Sequence, residues 1–372
     1  MDVVGPVTVG PIAHGGHCVA RHDGRVIFVR HALPGERVLV QVTDKSHSSF
    51  WRGDAVEVLD PGPDRVRAPC PIAGPGLCGG CDFQHVDLAA QRRLKTSVVS
   101  EQLRRLAGID WRGEVDAVSS PGTEDGLGWR TRMRYTFDVH GHPGLRAHRS
   151  HRVIPLPPGG CWIAAPGALD GSEGTVTEVA AGRRWAVAAD GFWQVHPAAA
   201  DTLATAVLDG LQPEPGERAL DLYCGVGLFA GVLADAGCRV WGMESNRTAV
   251  EHAQADLADV ADRVTIIAGR VERRVKQLPG SVDLVVLDPP RTGAGTAVMR
   301  AVLERRPRAV AYVACDPAAL ARDLATAGTL GYQPDRITAY DLFPMTQHVE
   351  CVAIMSPQGG GATERSAEEP GR

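Results

Sequence analysis

Short apolar runs alternate with polar turns over residues 1–62. Residues 26–29, 38–42 and 55–59 have the composition of strands, and turns such as Asp23-Gly24 separate them. Closely spaced short strands of this kind predict a small β-barrel of the OB-like type. That architecture often binds oligonucleotides.

The pattern changes twice after this segment. A proline-glycine linker leads into residues 63–190, which predict a central α+β domain with clustered cysteines and a strand-rich second half. Over residues 191–356, strands and helices alternate, which predicts an α/β domain built on a mostly parallel sheet. Residues 357–372 are rich in glycine and acidic residues and predict a disordered tail.

A glycine turn follows the first strong strand of the predicted α/β domain. Residues 219–229 run from an apolar strand through Gly225 and Gly227 into a helix, so the backbone there can approach an adenosyl ligand closely. The next strand ends at Glu244, where a carboxylate commonly holds a ribose diol. A third glycine in dinucleotide spacing is missing, and Asp221 lies within the motif. The pattern therefore favours S-adenosylmethionine over a nicotinamide cofactor.

Two later strands also end in chemically distinctive residues. One ends at Asp288, where two prolines fix the chain and direct the carboxylate into the edge crevice, an arrangement typical of methyltransferases that handle a nitrogenous base. The other delivers Cys315 to the same edge, followed by Asp316-Pro317. An isolated buried cysteine is usually inert. Beside an Asp-Pro-Pro turn, Cys315 is instead a candidate nucleophile.

Three further residues are candidates for the same edge. His348 and Glu350 precede the predicted final strand, Cys351 to Met355, and one of them could serve as a general base. Gln194 precedes the α/β pattern and offers both a donor and an acceptor, so it could read a uracil edge or contact the methionine end of the cofactor.

The cysteines divide into two groups. Cys70, Cys78 and Cys81 lie close together among glycines, and Cys161 follows another glycine pair. Four such thiols suit a tetrathiolate site, and spacing alone leaves both an iron–sulfur cluster and Zn²⁺ open. Nine cysteines in all, unevenly spread, do not resemble a disulfide framework.

Composition and charge limit the partners. The chain is 44% hydrophobic with a net charge of −5 and has neither a membrane-length apolar run nor a signal peptide, which predicts a cytoplasmic protein without membrane contact. Binding to nucleic acid then needs local patches. Residues 91–106 form one arginine-rich segment, expected to be a structural helix face. Residues 129–152 form a second with interleaved aromatics, where RNA contact and a structural hairpin remain equal alternatives.

Taken in order, these motifs resemble the RNA 5-methyluridine (uracil-C5) methyltransferase family. The most specific matches are Asp288-Pro289-Pro290-Arg291, residues 312–317 and His348-Val349-Glu350. The resemblance implies a class I, Rossmann-like, S-adenosylmethionine-dependent methyltransferase domain with an N-terminal TRAM barrel. It covers almost the whole chain.

The resemblance also assigns roles. It implies Cys315 as the nucleophile that adds to uracil C6 and Glu350 as the base that removes the C5 proton. It places the cofactor against Gln194, Tyr223, Leu228, Glu244 and Asp288. Leu228 stands where several members carry Asn, and Arg270 stands where some carry an amide.

The four clustered cysteines match those that bind a 4Fe-4S cluster in the ribosomal-RNA branch of this family. The metal ligands implied are Cys70, Cys78, Cys81 and Cys161. That branch favours large-subunit, 23S-type ribosomal RNA as substrate, with transfer RNA as an alternative, and a monomeric enzyme. The cluster is expected to be structural.

Two readings of a different kind remain. An amino-directed nucleic-acid methyltransferase would use the Asp-Pro-Pro turn without a thiol nucleophile. A metal-bearing RNA-binding protein would keep the cysteines and lack catalysis. Neither explains Cys315 together with Glu350.

Overall fold

The computed structural model describes residues 2–171 and 173–358. Its first unit is a six-stranded sheet with its own apolar core, in the spatial order β1-β5-β6-β4-β3-β2. The strands are β1 (Val3–Thr8), β2 (Ile12–Ala13), β3 (His17–His22), β4 (Arg25–Arg30), β5 (Arg37–Asp44) and β6 (Phe50–Asp60). Alternating burial along β5 puts its apolar residues on the inner face, as period-two patterning requires.

The middle of the chain combines one long helix with short strands. Helix α1 (Leu88–Ala107) begins at Asp87, whose carboxylate accepts hydrogen bonds from two N–H groups of the first turn, and ends at Gly108 in a left-handed conformation. The short strands are β7 (Val115–Ala117), β8 (Arg130–Arg132), β9 (Thr136–Phe137), β10 (Pro143–Arg146), β11 (Val153–Pro155), β12 (Ala164–Leu169), β13 (Thr175–Ala180) and β14 (Arg183–Ala188).

The C-terminal unit is a doubly wound α/β fold. Its sheet has the order β17-β16-β15-β18-β19-β21-β20-β7, parallel from β17 to β19, with β21 antiparallel to both of its neighbours. The strands are β15 (Arg218–Leu222), β16 (Arg239–Glu244), β17 (Val264–Ala268), β18 (Leu284–Leu287), β19 (Ala309–Ala314), β20 (Tyr332–Asp341) and β21 (Glu350–Pro357).

Helices cover both faces of this sheet. They are α2 (Ala199–Leu211), α3 (Leu228–Asp235), α4 (Arg247–Asp256), α5 (Val271–Arg274), α6 (Gly295–Leu303) and α7 (Pro317–Thr329), with 3-10 turns at Ala258–Val260 and Val275–Gln277. Two apolar cores lie on opposite faces, and β18 and β19 contribute to both. Their continuous burial explains why these strands read as unbroken apolar runs. The predicted α/β class is confirmed.

The structure differs from the sequence prediction at two boundaries. β7, from the middle segment, pairs in parallel with β20 and extends the C-terminal sheet, and α1 packs against α7. The middle segment is therefore continuous with the α/β unit on that side. β21 runs to Pro357, one residue beyond the predicted end of the domain, because this residue pairs with Tyr332. Residues 359–372 of the predicted tail lie outside the described residues.

Two predictions about surfaces can be compared with the structure. Along α1, Gln91 and Lys95 are buried, so this face of the first arginine-rich segment packs inside the protein and is not solvated. The second segment contains β8, β9 and β10, and Arg146 at the end of β10 and Arg149 in the turn that follows are exposed. Among the described residues, no helix is long and apolar enough to cross a membrane.

Candidate functional site

A cleft of about 950 Å³ opens at the carboxyl ends of the parallel strands, where doubly wound folds bind ligands. Most of the predicted site residues line it. They are Gln194, Tyr223, Glu244, Asp288, Cys315 and Glu350, together with Arg270, Arg291 and His348. Residues from seven separate segments of the chain thus meet in one cavity.

The glycine turn between β15 and α3 forms one wall of the cleft. Its Gly225 N–H donates to Glu244 Oε2 at 3.1 Å, while the other oxygen of Glu244 accepts from Asn246 N at 2.6 Å. These contacts hold the carboxylate at the end of β16, beside the turn. Asp221 is fully buried and accepts from Ala230 N at 2.8 Å, so it secures the start of α3.

Tyr223 follows β15 with a positive φ of 64°, a conformation that non-glycine residues seldom adopt. Its hydroxyl donates to Glu272 Oε1 at 3.0 Å across the cleft wall. No sequence motif marks Glu272, which lies in α5, shortly after β17. Leu228, by contrast, is buried in the apolar core at the start of α3 and does not line the cleft.

Three reactive groups converge at the centre of the sheet edge. Ala314 at the end of β19 pairs with Cys351 of β21, so the next residues outward, Cys315 and Glu350, lie beside each other. Asp288 follows the neighbouring strand β18, and its N–H donates to Leu222 O at 3.2 Å. A thiol and two carboxyl groups therefore share the floor of the cleft.

Burial controls the protonation of these groups. It raises the pKa of Asp288 to about 7. The pKa of Glu350 is raised well above its usual range, first by burial and then by the Asp288 charge, whereas Arg291 opposes the rise. Burial, reinforced by Glu350 and Asp288, raises the pKa of Cys315 to about 12. These shifts favour a neutral thiol and at least one protonated carboxyl group in the cleft at neutral pH.

A cation and an imidazole complete this part of the cleft. Arg291 Nη2 lies 3.4 Å from His348 Nε2. Burial and the Arg291 charge lower the pKa of His348 to about 4, so this imidazole is uncharged at neutral pH. Next to the thiol, Asp316 begins α7 as its N-cap, and Asp316 Oδ2 is 2.9 Å from His14 Nε2 of the N-terminal sheet.

The four clustered cysteines line a second cavity, of about 460 Å³. Gly80 N lies 3.4 Å from Cys78 Sγ and donates to it, and Gln84 Nε2 donates to Cys81 Sγ at the same distance. Burial raises the pKa of Cys81 to about 12. Across the described ranges, no three His, Cys, Asp or Glu side chains are grouped closely enough to hold a metal ion as they stand.

The two cavities are neighbours. Gly80 and Arg130 line both, although the cysteines and the catalytic motifs are far apart in the sequence. The cysteine turn also contacts the second arginine-rich segment, because Gly79 N donates to Arg146 O at 3.0 Å. Long sequence separation therefore does not keep the thiols away from the cleft.

The fold and the cleft together define an S-adenosylmethionine-dependent methyltransferase. Residues 181–357 match the model of the tRNA (uracil-5-)-methyltransferase family, and residues 4–56 match the TRAM domain. An uncharacterized RNA methyltransferase of Streptomyces avermitilis is 46% identical over 95% of this chain and 98% of its own length. Another, of Bifidobacterium longum, is 35% identical over 94% and 96%.

A solved structure agrees with these matches. The Pyrococcus abyssi tRNA (uracil-54, C5)-methyltransferase in complex with S-adenosyl-L-homocysteine has a TM-score of 0.69 over 94% of this chain and 99% of that chain. At 21% identity, this likeness shows a common fold. The chain belongs to the RNA uracil-5-methyltransferase family with an N-terminal TRAM domain. The predicted enzyme class and methyl donor are thereby confirmed, and the non-catalytic alternative is set aside.

Proposed function

We propose that the cleft methylates C5 of uridine in RNA through a covalent bond between Cys315 and uracil C6. The observation that carries the proposal is the convergence of Cys315, Glu350 and Asp288 at one sheet edge beside the glycine turn. An amino-directed methyltransferase would need no thiol at that point.

The reaction requires a carbon nucleophile, and C5 of uracil is a poor one. Cys315 first loses its proton to solvent. Addition of the resulting thiolate to C6 breaks the C5–C6 double bond and makes C5 enolate-like. C5 then takes the methyl group of S-adenosylmethionine, which leaves as S-adenosylhomocysteine. Glu350 removes the proton from C5, the double bond re-forms and the thiolate leaves C6. Because its pKa is raised, Glu350 is a stronger base than an ordinary carboxylate once it is ionised.

The remaining predicted residues would bind and orient. Glu244 is held where a ribose diol could be accepted, and Gln194 and Asp288 would orient the base and the methionine end of the cofactor. Leu228 would contribute through its backbone. A uridine stacked in a helix cannot enter such a cleft, so the target is single-stranded or flipped out. We propose that the enzyme acts as a monomer.

The cysteine cavity is proposed to hold a 4Fe-4S cluster with Cys70, Cys78, Cys81 and Cys161 as ligands. The support is the chemistry of the wall: four thiols around one cavity, with N–H groups of Gly80 and Gln84 directed at sulfur. Such N–H groups stabilise iron-bound thiolates. No step of methyl transfer depends on this group.

For the substrate, we favour large-subunit ribosomal RNA, because the four-cysteine wall matches that branch. Transfer RNA is the second candidate, favoured by the family model that matches residues 181–357. Mapping 5-methyluridine in both RNA classes of a deletion strain distinguishes them. Loss of one modified position in 23S-type RNA is expected. Loss only in transfer RNA would reverse the choice, and no loss at any uridine would refute the proposed reaction.

A further inference from the structure

Arg291 is a cation whose charge acts on the proposed nucleophile, Cys315. It follows the Asp288-Pro289-Pro290 turn, and its positive charge opposes the rise in the pKa of both Cys315 and Glu350. Arginine is long, and this one is largely exposed to the cleft. Within the described residues, the hydrogen-bond partner of its guanidinium is His348, at 3.4 Å. The contacts that hold His348 in place therefore also determine the position of the Arg291 charge.

The contact between Arg291 and His348 determines which ring nitrogen of the imidazole carries the proton. A guanidinium only donates, so Nε2 of His348 must be the acceptor and its proton must be on Nδ1. The uncharged state agrees with the pKa of about 4, which burial and the charges of Arg291, Lys95 and Arg130 produce against the opposing effect of Asp316. The Gln347 amide nitrogen Nε2 lies 3.2 Å from Nδ1, and a 180° turn of this carboxamide, which exchanges its oxygen and nitrogen, puts Oε1 where it accepts the Nδ1 proton.

The segment that carries His348 is anchored by α1 and the turn before it. Met345 has a positive φ of 64°, and both of its backbone polar groups are bound from outside the segment: its N–H donates to Gln91 Oε1 at 2.8 Å, and its carbonyl accepts from Asp82 N and Phe83 N. Gln347 N donates to Asp82 Oδ2 at 3.1 Å. The backbone on the N-terminal side of His348 is thus fixed.

A buried ion pair anchors the start of the same segment. Lys95 Nζ donates to Asp341 Oδ1 at 2.6 Å and to Phe343 O at 3.0 Å. The Phe343 ring meets the His348 imidazole edge-on, with a centroid separation of 6.1 Å. Since backbone and ring are both restrained, the imidazole presents Nε2 to the cleft in a defined direction.

We propose that His348 is a positioning residue for methyl transfer: as an uncharged acceptor, it holds the Arg291 guanidinium in the cleft that Cys315 also lines, where the positive charge stabilises the thiolate. His348 then has no role as a general base, because its free lone pair is committed to Arg291. The inference rests on the proposed function only for its consequence in catalysis. The effect on the thiol exists without RNA.

The charged groups that face Cys315 come from three elements. Glu350 begins β21, Asp288 and Arg291 follow β18, and Asp316 begins α7. Three of these four are carboxylates that oppose the thiolate. Displacement of Arg291 therefore removes the one favourable charge among them and lowers the thiolate fraction at any given pH.

The test measures alkylation of Cys315 by iodoacetamide in the full-length enzyme without RNA, between pH 7 and 10, with the Cys315 peptide quantified by mass spectrometry. His348→Leu removes the acceptor and should slow alkylation about tenfold at fixed pH, the effect of a rise of about one unit in the thiol pKa. His348→Gln keeps a side-chain acceptor and should restore most of the rate. His22→Leu, in the N-terminal sheet, is the matched control.

A double-substitution cycle separates positioning from general loosening of the fold. Arg291→Met should slow alkylation as much as His348→Leu, and the two together should slow it no further, because both act through one charge. Additive effects, or unchanged alkylation in His348→Leu, would overturn the inference. Failure of the wild-type enzyme to methylate uridine would instead overturn the proposed function and leave the alkylation result intact. Arg291→Met keeps the test informative if His348→Leu does not fold.

Discussion

The catalytic cleft and the cysteine cavity share two lining residues but are organised in different ways. In the cleft, Cys315 and Glu350 are set side by side by strand pairing, and Glu244 is held by backbone N–H groups. In the cysteine cavity, four thiols line one wall without forming a group that could hold a metal as it stands.

The difference follows from the elements that carry the residues. At the end of a paired strand, the hydrogen bonds to the neighbouring strand fix the position of a residue. This position does not depend on a bound ligand. The cysteines lie in loops and turns, where position depends on local contacts such as Gly80 to Cys78 and on any metal that draws the thiolates together. A preformed cleft and the proposed cluster site, which its metal would complete, thus lie next to each other.

Loss of the nucleophile should have the largest effect. Cys315→Ala is expected to reduce methylation of uridine by about a thousandfold or more, because C5 then has no route to activation. Radiolabelled methyl transfer to RNA measures this. Cys238→Ala, which removes another buried thiol outside both cavities, is the control and should remain close to wild type. Full activity in Cys315→Ala would refute the covalent reaction.

Glu350→Gln should reduce turnover by about a hundredfold or more, the usual contribution of a positioned base. Because addition and methyl transfer precede proton removal, this variant should accumulate a covalent RNA adduct that migrates slowly in a denaturing gel. Glu251→Gln, on the exposed surface of α4, should form no such adduct. Slow turnover without an adduct would assign the base to another residue.

The pH dependence of kcat/KM tests whether the carboxyl groups of the cleft have raised pKa values before the substrate binds. Asp288 has a pKa raised to about 7, and that of Glu350 is raised as well. Both act ionised, so kcat/KM should rise as the pH increases and the carboxyl groups lose protons. The fall from pH 8 to pH 5 should be about tenfold or more. A rising limb centred near pH 4, typical of ordinary carboxyl groups, would contradict the raised pKa values.

Substitution at the cysteine cavity should affect stability and metal content more than chemistry. Cys161→Ser should lower bound iron and sulfide and the melting temperature, while turnover per folded molecule falls only a few-fold, because no reacting group is lost. Elemental analysis and thermal melting measure the first two. A thousandfold loss of turnover in folded Cys161→Ser enzyme would show that the two cavities are functionally inseparable.

The smallest effect is expected at the contact between the TRAM domain and the cleft. His14→Ala removes the partner of Asp316 but leaves that residue's N-cap bond to Ala319 in place. The pair is partly exposed, so the loss should be within about 1 kcal/mol of stability, with turnover changed less than threefold. Thermal melting and steady-state kinetics measure both. A larger fall in kcat would show that the TRAM contact positions the cleft.

Much of the site was predictable because its residues sit at strand ends within recognisable patterns. Apolar runs that stop at Asp288 and Cys315 predict both the buried strands and the edge to which these side chains are delivered. The sequence pattern indicated neither the role of Glu272 nor the burial of the Leu228 side chain. The role of Glu272 depends on the hydrogen bond that it accepts from the Tyr223 hydroxyl. The burial of Leu228 depends on which face of α3 packs against the core.

The sequence by itself determined the α/β class, the methyl donor and the family, because periodic burial, glycine turns and short motifs are local properties of the chain. Only the tertiary structure decided that β7 and α1 join the C-terminal unit, that the cysteine cavity adjoins the cleft, and that His348 meets Arg291. The residues in these contacts are 57 to more than 200 positions apart in the sequence. The local sequence of a helix or strand does not indicate which distant element packs against it.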